Sequence, residues 1–299
     1  MTSLIKKLAL STLLLIATHS ASALTFNDFS NLSNLTLNGN AARHHSVLRL
    51  TPALGGQDGS AFSKTALNAA KFSSFFKFRI SKRGVTGADG FVFVIQAISP
   101  NAIGYAGGDL GYSGIANSIG IEFDTYYNGE HNDINANHIG IDINGSVNHD
   151  GTLPVKRVFP SLSNGQIWYV WLDYDGTKLE VRLSPTETRP TQAKLKAKLN
   201  IPQILGNVNN AYVGFTAATG GSWENHDILA WEYREDYQPI GLSSIIDTMQ
   251  TTQVICKNIN TVQTIEIPAA NINALNCKEA GLVGKQGDTA VVIISGKLK

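Results

Sequence analysis

Cysteine is scarce in this 299-residue chain: the two cysteines are Cys256 and Cys277, both near the C-terminal end. Two such widely spaced thiols exclude a four-cysteine zinc site and a disulfide-dense scaffold, and leave room for one bridge. Neither sits in a nucleophile-like context, and no G-x-S-x-G elbow occurs. Charge is also sparse. Charged residues make up 16% of the chain and the net charge is +1. That balance offers no basic patch for nucleic acid and nothing for an anionic membrane surface. Long apolar runs are missing beyond the first residues, so nothing later reaches the ~18 residues a membrane helix needs. Helical periodicity is missing too: no segment of useful length repeats its apolar residues every 3.6 positions.

What the chain does have is many short strands. Alternating or apolar runs lie at 72–80, 90–98, 119–124, 138–143, 167–174, 177–183, 211–217 and 227–234. Clusters of Gly, Asn and Asp separate them, and the chain holds 28 Gly. Many short strands with turn signals predict an all-β sandwich or barrel. Asp175-Gly176 between IWYVWLDY and TKLEVRL predicts a two-residue hairpin turn. Trp168, Trp171 and Trp231 fall in strands and are expected in the core, whereas Trp223 precedes a strand, where it could stack on a ligand ring.

The two ends read differently from the middle. Lys6 and Lys7, the apolar run LALSTLLLIA and the A-x-A site Ala21-Ser22-Ala23 form a secretory leader, with cleavage expected after Ala23. Residues 1–23 are thus expected to be removed, leaving an exported chain, secreted or held in the periplasm or at the cell surface. Residues 240–299 hold both cysteines and three further strand-like runs, TQVICKNI, TVQTIEIP and TAVVIISGK. They are expected to form a small β module closed by a Cys256–Cys277 disulfide. A loop of about 20 residues would gain roughly 3 kcal/mol from it in the chain-entropy treatment. The triplets at Asn31, Asn34 and Asn144 are glycosylation acceptors only in a eukaryotic secretory route.

The chemistry concentrates in IGIEFDTYYNGEHNDINANHIGIDIN, residues 119–144. Glu122, Asp124, Asn128, Asp133 and His138 fall close together, flanked by the strands IGIEFD and HIGIDI. On a strand, residues two apart share a face, so Glu122 and Asp124 point one way and Ile121 and Phe123 the other. Carboxylates in such an apolar run are costly unless paired or bound to metal. Carboxylates with an amide oxygen and backbone carbonyls suit calcium; a histidine with carboxylates suits a transition ion such as manganese.

The string EFDTYYN, an Asp, then HIGIDIN resembles the metal-binding segment of the legume-type (L-type) lectins, whose pattern is E-F-D-T-[FY]-x-N, Asp, H-[IV]-G-I-D-[IV]-N. That resemblance, covering roughly residues 24–236 of an expected lectin domain at 24–239, implies a jelly-roll-like sandwich of antiparallel sheets that binds carbohydrate and catalyses nothing. It implies that Glu122 and His138 hold a Mn2+-type ion. Asp124 and Asp133 would bridge it to Ca2+, with Asn128 and the Tyr126 carbonyl completing the calcium site. The Asn128–His138 loop is spaced differently from the plant pattern, with His131 a nearby decoy for the ligand histidine. Two loops elsewhere fit the same family. GADGFVF resembles the loop that supplies a sugar-binding Asp, here Asp89, preceded by a cis peptide. AGGDLGY resembles the loop whose glycine N–H donates to the sugar, here Gly108.

A third stretch, GFTAATG then HDILAW, resembles the family's GFSAATG and HDILSW. The residues between set monosaccharide preference, and Gly220, Gly221 and Ser222 would offer backbone donors. Thr219-Gly220-Gly221 leans the expectation to mannose/glucose-type glycans. Tyr126 and Asn128 would also touch the sugar, and a homo-oligomer would raise avidity. The competing reading is a glycoside hydrolase on a related jelly roll, with an E-x-D-x-x-E strand motif. Glu122 and Asp124 supply its first half, but position 127, where the second Glu belongs, is Tyr127, and Glu130 lies too far along. A degenerate scaffold used only for adhesion or assembly is the third reading, opposed by the intact set Asp89, Glu122, Asp124, Asn128 and His138.

Overall fold

In the computed structural model, residues 23–241, 251–257, 262–268 and 290–293 are described. The expected leader and the expected Cys256–Cys277 bridge lie outside the described residues. The chain divides into two compact units, one ending at Ile240 and one beginning at Gly241.

The first unit is a sandwich of two sheets. In chain order its strands are β1 (Ala23–Phe26), β2 (Leu35–Gly39), β3 (Ala42–His44), β4 (Val47–Thr51), β5 (Asp58–Ser63) and β6 (Leu67–Asn68). The long β7 (Phe72–Gly84) follows, then β8 (Gly90–Gln96), β9 (Ser118–Asp124), β10 (His138–Ile143) and β11 (Val155–Arg157). The last five are β12 (Trp168–Tyr174), β13 (Lys178–Ser184), β14 (Leu195–Lys198), β15 (Asn210–Ala218) and β16 (Trp223–Arg234). One sheet runs β14-β13-β12-β7-β16-β4-β3, with β1 added on β16. The other runs β11-β10-β9-β8-β15-β5-β2, with β6 added on β15. Neighbouring strands are antiparallel, as the all-β, jelly-roll-like expectation requires.

Alternation explains how the two sheets meet. Ile119, Ile121 and Phe123 of β9 join a core with Phe91, Phe93 and Ile95 of β8 and Phe76 and Phe78 of β7. Phe91 and Phe123 sit opposite each other across β8 and β9. Their rings stack with centroids 4.7 Å apart. Phe76 comes from the other sheet and meets Phe215 at 5.1 Å and Phe93 at 5.8 Å. This aromatic layer fixes which face of β9 is inward, and so commits Glu122 and Asp124 to the opposite face.

Every expected strand from 72 onward is present, with shifted ends. The five earliest strands and the short β6, β11 and β14 have weaker alternation and were not expected. At Asp175-Gly176 the connection is longer than two residues, because Asp175 Oδ1 accepts from the amides of Thr177 and Lys178, both at 2.8 Å. Trp168 and Trp231 lie in the inter-sheet core, as expected. Trp171 is buried as well, but on the outer face of its sheet, against Phe75 at 5.3 Å. Trp223 packs on the backbone of Gly84, where an added Cβ would stand 2.0 Å from Nε1, so its indole is already engaged.

The second unit contains β17 (Thr251–Lys257), β18 (Val262–Pro268) and β19 (Ala290–Ile293) in the antiparallel order β18-β17-β19. All three fall on the strand-like runs of the sequence.

Phe76 touches both sheets and is fully buried. Phe76→Ala is expected to cost about 3–5 kcal/mol, since a cavity at the layer centre cannot collapse. Urea unfolding followed by fluorescence measures this; a loss below about 1 kcal/mol would contradict the central role of that ring.

Candidate functional site

Strand register assembles the acidic cluster. Across β9 and β10, Glu122 faces Gly140, Asp124 faces His138 and Gly120 faces Asp142. Alternation then puts Glu122, Asp124, His138, Gly140 and Asp142 on the face away from the phenylalanine layer. All five are buried. Gly140 has a steric reason: a Cβ there would lie 2.5 Å from Glu122 Oε1 and 2.9 Å from His149 Cε1.

The loop after β9 folds back on this face. Asp124 Oδ1 accepts from the Tyr126 amide at 2.8 Å, and Asp133 Oδ2 accepts from the Asn128 amide at 2.6 Å. A single 3-10 turn, Gly129–His131, closes it and brings Asp133 in. Donor atoms of Asp124, Asp133 and His138 lie within 4.8 Å of one another, and so do those of Glu122, His138 and His149. Asp133 therefore joins the cluster despite the altered loop spacing. His131 does not join these two groups; its Nε2 stands 3.8 Å from Asp109.

The electrostatics call for a cation. Burial first, then the charges of Glu122 and Asp133, push the Asp124 carboxyl well above its ordinary range. Burial and the Glu122 charge do the same to Asp142, and burial raises Asp133. Glu122 is held down at about 2: burial opposes its charge, but the imidazoles of His138 and His149 outweigh burial. Its Oε1 lies 2.7 Å from His149 Nε2 and 3.1 Å from His138 Nε2, yet neither contact has hydrogen-bond geometry. Asn128 Oδ1 is likewise buried and without a partner. Crowded carboxylates, an unpartnered amide oxygen and adjacent imidazole nitrogens are the donor set that divalent ions take. The residues present fit such ions.

A second cluster lies beside the first. The Ala88–Asp89 peptide is cis, as the resemblance implied. Asp89 is buried, and its Oδ2 has no hydrogen-bond partner. Burial and the nearby Glu224 raise its carboxyl to about 6, against the lowering influence of His226 and the Gly220 backbone. A Cβ on Gly220 would stand 3.3 Å from Asp89 Oδ2, and one on Gly108 would stand 2.5 Å from Asn128 Nδ2. Asp89, Gly220, Gly108 and Asn128 thus form one patch, next to Tyr126, whose ring is exposed. The loop at 219–222 is pinned from below: Thr219 Oγ1 donates to Leu54 O at 2.7 Å, and Gly56 N donates to Gly220 O at 3.1 Å. Gly220 N donates to Ser222 O at 3.1 Å, and Ser222 Oγ pairs with Thr86 Oγ1 at 2.9 Å. The Gly220 amide is thus engaged within the loop, and the Ser222 hydroxyl by Thr86. Gly221 is open.

Sequence reasoning missed three residues of this region. Asp142 shares the His138 face at period two and was legible on that ground. Glu224 is fully buried and accepts from the hydroxyls of Thr125 and Ser163, bracing the floor of the patch. His149 follows β10 in a loop, and nothing local in the sequence marks it. Asp227, in the HDILAW run, is structural: its carboxylate pairs with Arg49 at 2.7 and 2.9 Å.

Comparison with known proteins gives this arrangement a family. A family model described as the legume lectin domain matches residues 21–245. The chain belongs to the legume lectin domain family. Its sandwich is therefore a carbohydrate-binding, non-catalytic fold. Two relatives from Arabidopsis thaliana are L-type lectin-domain containing receptor kinase I.3, 32% identical over 55% of this chain and 27% of that protein, and a probable receptor kinase I.5, 31% identical over 77% of this chain and 36% of that protein. The chain spans only about a third of the length of these relatives. Among solved structures, the basic winged bean lectin with Tn-antigen is 27% identical, with a TM-score of 0.60 over 71% of this chain and 97% of that one. The Bauhinia forficata lectin in complex with GalNAc, 23% identical, shares the fold at a TM-score of 0.63 over 72% of this chain and 98% of that one. No described helix of this lectin chain is long and apolar enough to cross a membrane.

The raised carboxyls give a pH dependence with a definite sign. In the metal-free lectin domain, Asp89, Asp124, Asp133 and Asp142 bind protons in the folded state at pH values where the unfolded chain has released them. Stability then falls as pH rises above about 4 and returns on acidification. His149, also raised, adds stability that is complete at low pH and lost as pH climbs through its folded value. The opposing contribution of Glu122, lowered to about 2, is lost only below its ordinary 4.5. The chelated protein is expected to melt at a higher temperature at pH 5.5 than at pH 7.5, by differential scanning fluorimetry; a lower melting point at pH 5.5 would contradict the crowding.

Proposed function

We propose that the chain is an exported, metal-dependent lectin that binds a neutral sugar at the patch formed by Asp89, Gly108, Tyr126, Asn128 and the Gly220–Ser222 loop. The observation that carries it is the convergence of Asp89, Gly220, Gly108 and Asn128 beside the buried donors Glu122, Asp124, Asp133 and His138.

A sugar offers hydroxyls and a weakly apolar ring face. The ionised Asp89 carboxylate accepts and cannot donate, so it selects two adjacent hydroxyl donors. The Asn128 amide and the Gly108 backbone N–H add polar contacts at fixed positions, while the exposed Tyr126 ring packs on the sugar face. Glycine at 108 lets backbone and Asn128 approach closely. Calcium and a second divalent ion, when bound, supply the positive charge that the buried carboxylates need. Asp124, Asp133, Asn128 and the Tyr126 carbonyl hold the first; Glu122 and His138, with the same two Asp, hold the second. A loop so fixed loses little freedom on binding. Each site competes with water for few hydroxyls and is weak alone, so a homo-oligomer supplies avidity.

Two sugar classes have support. Thr219-Gly220-Gly221 favours mannose/glucose-type glycans. The winged bean and Bauhinia lectins, whose structures hold Tn-antigen and GalNAc, favour the galactose class. The leader at residues 1–23 directs export, and the module at 240–299 accompanies the lectin domain.

Asp89→Ala is expected to fold as the wild type does and to lose sugar binding at least 100-fold on a glycan array carrying both classes. Wild-type signal should vanish on chelation and return with calcium plus a transition ion. Binding that survives Asp89→Ala, or that ignores the chelator, would overturn the site.

A further inference from the structure

The resemblance that marks Glu122 and His138 assigns no role to His149, which lies beyond β10 in the Asn144–Thr152 loop. We propose that His149 is a direct ligand of the ion held by Glu122 and His138, and that this ion is a late transition metal of the zinc type rather than manganese. This rests on the metal-dependent reading above.

Three donor atoms converge. Glu122 Oε1 is 3.1 Å from His138 Nε2 and 2.7 Å from His149 Nε2, and the two Nε2 atoms are 3.1 Å apart. Donors that share an ion at about 2.0–2.2 Å stand roughly 3 Å from one another. Asp133 Oδ1 follows at 3.9 and 3.8 Å from the two imidazoles, a fourth donor on the same side.

The alternative is an ordinary hydrogen-bonded cluster with no ion, and the geometry disfavours it. Glu122 Oε1 is almost completely buried and has no hydrogen-bond partner, although two nitrogens lie close by. An orphaned carboxylate oxygen at that depth is costly unless something else neutralises it. His138 Nδ1 sits 2.6 Å from the Asn135 carbonyl. A carbonyl can only accept, so His138 donates from Nδ1, which leaves Nε2 as the ring atom that faces Glu122 and His149. Metal-bound histidines are oriented in this way, by donating the other ring N–H to a backbone carbonyl.

His149 is held in place by its own backbone. Its amide donates to His131 O at 2.9 Å, and the neighbouring Asn148 Oδ1 accepts from Asn132 Nδ2 at 2.6 Å. Both anchors lie in the loop that carries Asn128 and Asp133. Gly140 leaves the space into which the His149 ring fits. The ring meets that of His138 edge-on, with centroids 5.1 Å apart. A second imidazole among the carboxylates shifts the site toward zinc, cobalt or nickel, whereas oxygen-dominated sites suit manganese.

The test uses the full chain, stripped with chelator and reloaded with calcium. Wild type, His149→Ala and His149→Gln are titrated with Zn2+ and with Mn2+ by calorimetry, and with Co2+ by visible absorption. His149→Ala should weaken Zn2+ binding about 10- to 100-fold. It should narrow the Zn2+/Mn2+ preference and shift the Co2+ band, with calcium binding and melting temperature after calcium loading unchanged. His149→Gln should follow His149→Ala for Zn2+. Equal Zn2+ affinity and an identical Co2+ spectrum in wild type and His149→Ala would remove His149 as a ligand while leaving the metal site standing. A wild type that binds none of the three transition ions would instead remove the underlying metal reading. Neither outcome depends on sugar binding.

Discussion

Several carboxylates buried on the outer face of one sheet are the constraint on which the rest of this structure turns. Glu122, Asp124, Asp133 and Asp142 are withdrawn from water without a lysine or arginine among their described partners. Left alone, such a group repels itself and pulls protons from solvent. The phenylalanine layer between the sheets forces this arrangement, because fixing Ile121 and Phe123 inward fixes Glu122 and Asp124 outward. A divalent cation bound there, as proposed, would convert the liability into a rigid floor beneath the loops that carry Asn128, Gly108 and Gly220.

The route from floor to patch is short. Asp124 and Asp133 each hold a backbone amide of the Tyr126–Asn128 segment. Asn128 touches the Gly107–Asp109 turn through Gly108, and Gly220 stands over Asp89. Glu224 supports Thr125 from beneath, and Thr219 ties the last loop to the 54–57 segment. Displacing the carboxylates would therefore move every polar group offered to a ligand. On the proposed reading metal dependence would be positional: the protein's own donors and acceptors would meet the ligand, and coordination would keep them where they are.

Much of this was legible in the sequence, for identifiable reasons. The strands from 72 onward alternate strongly because each buries one face against the aromatic layer, and the E-F-D…H-I-G-I-D string carries both the register and the buried acidic cluster. Asp133 reaches the acidic cluster although its loop spacing is unusual, since the 3-10 turn at Gly129–His131 absorbs the difference. The early strands β2 to β5 were missed because their polar and small residues give little alternation. Trp171 was assigned to the core on residue type, but parity along β12 places it on the outer face, where Phe75 covers it. His149 was invisible because its partners come from two separate segments; only the fold joins them. The Gly220 amide is spent inside its own loop, on Ser222 O, and the Ser222 hydroxyl on Thr86, points that only the folded hydrogen-bond network decides.

Native mass spectrometry of the full chain, before and after chelation and paired with melting temperature, tests the central dependence most directly. The account predicts two divalent ions per chain, both removed by chelator, with a lower melting temperature at neutral pH once they are gone. A chain that carries no ions as purified, takes up none when supplied with calcium and transition metals, and melts at the same temperature throughout would contradict it.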